Sequence, residues 1–219
     1  MLKIRPPNTV IGIERRSMTA IQPAERRRLQ SRAEARRAIL DATEALLVED
    51  GFDAFSMRRL AERCGYTPPT IYHYFGDKQR LLDELLDERC RGLVRGLRRV
   101  PLDGDSVRNL RALSLAFARF GLRNPTHYAL LSAPRDPELP PPPAAEEARV
   151  LLSQPLDQLA ADGRLCVDLE AARQSFWSFL HGFVLLRTTR SDLPWARDVL
   201  EVGLDALIRG LVRADGAAR

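Results

Sequence analysis

Apolar positions along the chain recur at three- and four-residue intervals, and nowhere do they alternate long enough to suggest a strand. From about Ser31 they fall at Ile39, Thr43, Leu46 and Leu47, the i, i+4, i+7, i+8 rhythm of one helical face. Gly51 follows as a stop that accepts positive φ. Ser56 suits the N-cap of a short helix over 57–64. Gly65 punctuates, Thr67 offers another cap, and Pro68 stands at a first helical position, where a missing N–H does no harm. That helix passes through Ile71 and Phe75 and stops at Gly76. Asp77 then caps a long helix to about Arg99, halted by Pro101. Beyond it the pattern predicts helices over 106–122, 126–132, 144–161, 168–189 and 194–212. Residues 134–143, PRDPELPPPP, read as a stiff non-helical loop of polyproline character. The expected fold class is all-α, with a three-helix N-terminal domain followed by a larger helical bundle. The first 27 residues have no periodicity and mix Pro6, Pro7 and Pro23 with basic side chains, so 1–27 is expected to be a flexible basic arm. The boundaries read as 28–78 for the small domain and 79–219 for the bundle. Met18 offers a second candidate start, which the intact mass of natively expressed protein would decide.

Charge sharpens this division. Residues 1–99 carry 20 basic and 14 acidic side chains, residues 100–219 carry 14 and 15, and the whole chain is +5. A basic footprint confined to one part suits a phosphate-binding module beside a neutral one. Arginine supplies nearly all of it, since Lys3 and Lys78 are the only lysines. The longest apolar stretch, residues 176–186, is broken by Ser178, His181 and Gly182 and falls well short of the roughly 20 residues of a membrane span. No secretory leader is apparent, and three distant cysteines (Cys64, Cys90, Cys166) suit free thiols in a reducing cytoplasm. A soluble cytoplasmic protein is expected.

Two short helices joined by a glycine-containing turn make a helix-turn-helix, whose second helix enters the major groove of DNA. Leu60 and Ala61 on the first face Ile71 and Tyr74 on the second; Ala61 is small enough for a close crossing, and Tyr66 plugs the turn. An ordinary αα-corner shares this pattern. The stretch AILDATEALLVEDGFDAFSMRRLAERCGYTPPTIYHYFGDKQRLLDELL, however, resembles the DNA-binding domain of the tetracycline-repressor (TetR) family of transcriptional regulators. Matching features are the helix ending at Gly51-Phe52, Ser56, LAERCG, the recognition segment TPPTIYHYF, and DKQRLL. Tyr66 stands where the family usually has Val, and Gly76-Asp77 where it often has Lys or Pro followed by Asn or Ser. The resemblance implies roles for individual residues. Thr70 and His73 share a face and are candidates for base-edge contact. Thr67 and Tyr72 are candidates for phosphate hydrogen bonds, Lys78 for the family's phosphate-contacting lysine, and Ser56 and Met57 for main-chain N–H groups offered to phosphate. Arg32 and Arg58 add charge or are generic surface arginines. His73 has a plain alternative as a solvent-facing residue without a role.

In the second half, Trp177, His181 and Gly182 of FWSFLHGF resemble the Trp–His–Gly (WHG) C-terminal domain of one branch of TetR-like regulators. Residues 124–128, NPTHY, resemble a segment of the same domain. Trp177 and His181 lie i, i+4 on one face, and Gly182 is expected to permit a close helix approach. His181 and Trp177 then read either as core filler or as the wall of a ligand pocket with Phe117, Phe120, Tyr128 and Leu131. In the family such a pocket takes an inducer, and its occupation biases the two DNA-reading heads to a spacing that no longer fits the operator. The helices over 168–189 and 194–212 correspond to the family's dimerisation surface. Val199, Val202, Leu204, Ala206, Leu207 and Leu211 cover more of the last helix than one buried stripe needs. A C2 dimer puts two recognition helices about 34 Å apart on a near-palindromic operator. No glycine-rich phosphate loop, metal-ligand spacing or catalytic triad is present: the histidines are His73, His127 and His181, and Ser178 beside His181 lacks an orienting acid. No enzyme, cofactor or metal is therefore expected. The expected function is a homodimeric repressor released by a small apolar or aromatic ligand; the alternative is a DNA-binding regulator without such an effector, controlled by a partner protein that takes the polyproline loop.

Overall fold

The computed structural model describes residues 23–52, 54–131 and 138–213. The chain divides into two compact units, Met1–Arg37 and Ala38–Arg219. Among the described residues there are nine helices and no strand beyond an isolated bridge between Leu165 and Val212. They are α1 Pro23–Asp50, α2 Met57–Cys64, α3 Pro68–Phe75, α4 Lys78–Arg98, α5 Ser106–Arg123, α6 Pro125–Leu131, α7 Pro143–Ala161, α8 Leu169–Thr189 and α9 Val199–Leu211. The all-α reading holds.

Helix α1 begins eight residues before the apolar rhythm does. Its first turns, AERRRLQSRAEARR, are built of strong helix formers and i, i+4 pairs such as Gln30–Glu34 (3.0 Å), which sustain a helix without an apolar stripe. Of the segment read as a flexible arm, residues 1–22, Met18 included, lie outside the described residues, and the remainder is helical. Helix α7 starts on Pro143, the last residue of the stretch expected to be non-helical, because N1 tolerates proline; residues 134–137 of that loop lie outside the described residues. Pro155 sits buried inside the same helix.

Helix α9 starts at Val199 rather than near Pro194. The intervening segment caps its predecessor instead: the Trp195 indole N–H donates to the carbonyl of Arg190 (2.9 Å), the C-cap of α8, while Arg187 lies over the indole ring. A helical 194–198 would carry that indole away from the end of α8.

One continuous core runs through the second unit, with Leu60, Ile71, Leu81, Leu85, Leu113, Leu159, Val184 and Leu204 among its sealed side chains. The close backbone approaches fall at Gly121, where a Cβ would stand 2.7 Å from Val184 Cγ1, and at Gly203, where it would stand 2.6 Å from the Phe179 ring. At Gly182, where sequence suggested a close approach, a Cβ would meet nothing within 4 Å. Helix α4 packs most extensively on α7. Their junction includes a buried carboxylate. Pro142 is the N-cap of α7 and offers no side-chain acceptor, and Pro143 has no N–H, so the first free donor of the helix is Ala144. Asp87 of α4 accepts that N–H at 2.7 Å and is itself held by Arg91 at 2.6 Å.

Candidate functional site

The small domain assembles around helices α2 and α3, each only eight residues long and unable to persist alone. Ser56 caps α2 by accepting the N–H of Arg59, and Gly65 ends it in the left-handed region at φ 69°. Leu60, Ala61, Ile71 and Phe75 are buried between the helices, with Tyr66 and Tyr74 half-buried at the edge. Arg63 clamps α2 onto α1 through two hydrogen bonds to Glu49, at 2.6 and 2.7 Å, and Arg59 pairs with Asp50 at 2.8 Å. The Arg63 guanidinium holds the Glu49 carboxyl below its ordinary range.

This scaffold leaves the polar side of α3 outward. Thr67, Tyr72 and His73 are exposed and Thr70 half-buried, so the predicted reading face is presented together. Thr67 occupies the N-cap position, but its hydroxyl does not cap. Pro68 and Pro69 remove the N–H groups of the first two helical positions, and the hydroxyl pairs instead with that of Thr70 at 2.9 Å. Such a pair fixes two candidate contacts relative to each other and leaves one hydroxyl hydrogen to donate.

Lys78 is exposed at the start of α4, yet its ammonium donates to the carbonyl of Phe55 at 3.2 Å and lies 5.2 Å from the centre of the Phe55 ring. That contact uses one of three N–H donors and ties α4 to the loop ahead of α2. Met57 is buried, so only its main chain is available to a phosphate, and the Ser56 hydroxyl is already engaged by Arg59. Arg58 is paired with Glu62 across one turn at 3.0 Å, and Arg32 is exposed.

The residues suggested as one pocket separate into two places. Phe117, Trp177 and His181 line a cavity of about 240 Å³ between α5, α7 and α8. Phe120, Tyr128 and Leu131 instead surround, with the other side of Phe117, a void of about 10 Å³ near α4 and α6, which is close-packed core. The tight crossing at Gly121 presses Tyr128 into that core, where its hydroxyl donates to the main-chain carbonyl of His181 at 3.0 Å. Sequence reasoning did not single out the walls from α7, Leu152, Ser153 and Leu156, or Ser114 of α5. Their spacing is that of any core helix and carries no distinguishing signal.

Trp177 is not core filler, for half its surface is exposed and its indole stacks on the His181 ring, centroids 3.9 Å apart. Phe117 and Tyr128 approach the same imidazole at 5.2 and 5.4 Å. Among the described residues His181 Nε2 is buried without a hydrogen-bond partner, and burial pushes the pKa of the ring down to about 4, so it is neutral at pH 7.

The chain matches two family descriptions: "Bacterial regulatory proteins, tetR family" over residues 39–85 and "Tetracyclin repressor-like, C-terminal domain" over residues 110–211. The HTH-type transcriptional regulator UidR of Escherichia coli (strain K12) is 31% identical over 120 residues, covering 47% of this chain and 60% of the relative. The chain thus spans about 60% of that relative's length. The HTH-type transcriptional repressor KstR of Rhodococcus jostii (strain RHA1) is 47% identical over 49 residues, 22% of this chain and 23% of its own. The fold is shared with a TetR variant from Acinetobacter baumannii AYE solved in complex with minocycline, at a TM-score of 0.56 and 23% identity over 78% of this chain and 93% of that one. With the helix-turn-helix matched by one description and the bundle by the other, the chain belongs to the TetR family of bacterial DNA-binding transcriptional regulators and is not an enzyme.

Proposed function

We propose that this regulator is a cytoplasmic homodimeric repressor that occupies a near-palindromic operator and releases it on binding a small apolar or aromatic ligand. The observation that carries the proposal is the combination in one chain of an outward polar face on α3 and an aromatic-walled cavity at α5, α7 and α8. Thr70 and His73 read base edges; Thr67, Tyr72, Lys78 and the main chain at Ser56 and Met57 hold phosphates. Trp177, His181 and Phe117 serve the ligand, whereas Phe120, Tyr128 and Leu131 support the cavity from behind. The Trp–His–Gly likeness extends to Trp177 and His181 in this reading. KstR, the relative named a repressor, and the minocycline-bound neighbour lend support.

Dimerisation is supported by the outer sides of α8 and α9, where Leu185, Leu186 and Val202 are exposed beside Gly182 and half-buried Leu207. Signal transfer has a physical route. Ligand contacts on α7 act on a helix whose first N–H is held by Asp87 of α4, and α4 follows directly on the reading helix α3. A ligand that binds one position of α7 better than another shifts α4 with it.

The test is footprinting across a salt series on DNA upstream of the protein's own gene, with sedimentation to give the mass of the free protein. Protection of a near-palindromic site by a dimer, with binding that weakens steeply as salt rises, is the expected result. A monomer at micromolar concentration, or protection of a single half-site, would overturn the dimeric reading.

A further inference from the structure

We infer that the cavity between α5, α7 and α8 takes a neutral aromatic hydroxyl compound of one or two fused rings, a phenol or naphthol rather than an aryl carboxylate, with its hydroxyl hydrogen-bonded to His181 Nε2. The inference rests on reading this cavity as the effector site, and it adds charge state and polar group to that reading.

Size and walls set the ring system. A sealed apolar cavity of about 150 Å³ holds a benzene, and this one measures about 240 Å³. Phe117, Phe176 and Trp177 give it aromatic surface, with Leu152, Leu156 and Leu180 between them.

Charge sets the rest. Both arginines of the wall already hold carboxylates: Arg149 makes two bonds to Glu146, at 2.8 and 2.5 Å, and Arg173 bonds Asp157 at 2.5 Å with Glu170 at 3.7 Å. Glu170 itself lines the cavity. Arg173 Nε is buried without a partner of its own among the described residues, but its guanidinium is already neutralised by Asp157 and Glu170. An anionic ligand would therefore lose its hydration against a wall whose two arginines already face the three carboxylates Glu146, Asp157 and Glu170. The imidazole is uncharged and supplies no cation either.

The polar group follows from Nε2. A neutral imidazole nitrogen is either a donor or an acceptor, according to the tautomer, and a hydroxyl pairs with both, whereas a ketone or an ammonium pairs with one. A buried nitrogen without a partner is costly, and a ligand hydroxyl removes that cost. The half-exposed Trp177, stacked over the ring, is the cover a ligand displaces to reach it.

Calorimetric titration of the full chain with 2-naphthol, 2-naphthoate and naphthalene tests this. We expect one 2-naphthol per chain, bound at least tenfold more tightly than 2-naphthoate. Equal or tighter naphthoate binding overturns the inference on the unmodified chain, as does the absence of binding by all three. In the variant His181→Leu, checked for folding by thermal melting, 2-naphthol should weaken about tenfold, the scale of one hydrogen bond, with naphthalene within twofold. His181→Gln should restore part of the naphthol affinity, and Leu152→Trp, which fills the cavity, should abolish binding of both. Equal losses for naphthol and naphthalene in His181→Leu would assign the residue to packing alone. Footprinting at saturating 2-naphthol separates the two levels of the argument: selective binding with unchanged DNA affinity defeats the effector reading and leaves the ligand class standing.

Discussion

The DNA-reading head and the helical bundle carry the groups proposed to work in them in opposite ways. In the head, Thr67, Tyr72, His73 and Lys78 stand on the outside of a small core, all within one stretch of twelve residues, 67–78. In the bundle, Phe117, Leu152, Trp177 and His181 come from three helices and converge on a space that none of them fills. Among the described residues the head buries no side-chain nitrogen without a partner, and even the Lys78 ammonium is engaged, whereas the bundle retains unpartnered nitrogens at His181 Nε2 and Arg173 Nε. A surface that reads DNA must be rigid before it binds, because positioning is its chemistry. A cavity that answers a ligand has to leave something for the ligand to complete.

Substitutions that act on one region and spare the other sharpen this contrast. The largest effect is expected from Ile71→Ala, which empties a sealed position between α2 and α3. Urea denaturation should show a loss of about 2–5 kcal/mol, with DNA binding lost alongside and ligand heats retained by the bundle. Retained footprinting at full affinity would show that the head does not depend on that core.

Next comes the pH dependence carried by His181. Its folded pKa of about 4 lies below the ordinary value of 6.5, so the unfolded chain binds more protons between those limits. Its contribution is fully present above pH 6.5 and is lost as pH falls towards 4. The loss is on the order of 3 kcal/mol. Measured against His181→Leu, the wild type should therefore lose stability in melting curves as pH falls from 6.5 to 4, and a difference that does not change with pH would contradict it.

Asp87→Ala should cost about 1–3 kcal/mol by stranding the Ala144 N–H. It should also blunt any ligand effect on DNA affinity, a readout that a purely structural contact would leave alone. His73→Ala should relax discrimination at one base pair of each half-site by about 1–3 kcal/mol, measured with a panel of single-base operator variants; uniform weakening on all of them would remove it from base reading. The smallest change belongs to Lys78→Ala, which should weaken every sequence alike and reduce the salt slope by about 1 per subunit. An unchanged slope would mean that its ammonium serves only the Phe55 carbonyl.

Legibility from sequence follows the same divide. Ser56, Gly65, Pro68, Gly76 and Asp77 mark the ends of α2, α3 and α4 because capping and positive φ are demands of single residues on their immediate neighbours. The three-residue turn and the apolar spacing around it then leave one way to pack, so the outward polar side of α3 was legible in the sequence. Where local signals were ambiguous, expectation and structure part: α1 needed no apolar stripe to begin at Pro23, and Trp195 was drawn into capping α8 instead of starting α9.

The bundle was legible as helices and not as a site. Phe120, Tyr128 and Leu131 look as suitable for a pocket wall as Phe117 or Trp177, since all are large and apolar at helical spacing. Only the crossings decide between them. The absence of a side chain at Gly121 brings α5 against Val184 and closes the packing around Tyr128, while α7 stands far enough from α5 and α8 to leave about 240 Å³ open. At Gly182, prominent in sequence, a Cβ would meet nothing within 4 Å among the described residues. Helix identity, the ends of α2, α3 and α4, and the outward polar side of α3 are properties of adjacent residues and were determined by sequence alone. A cavity is the difference between volumes contributed by residues far apart along the chain, and only the tertiary structure could take that difference.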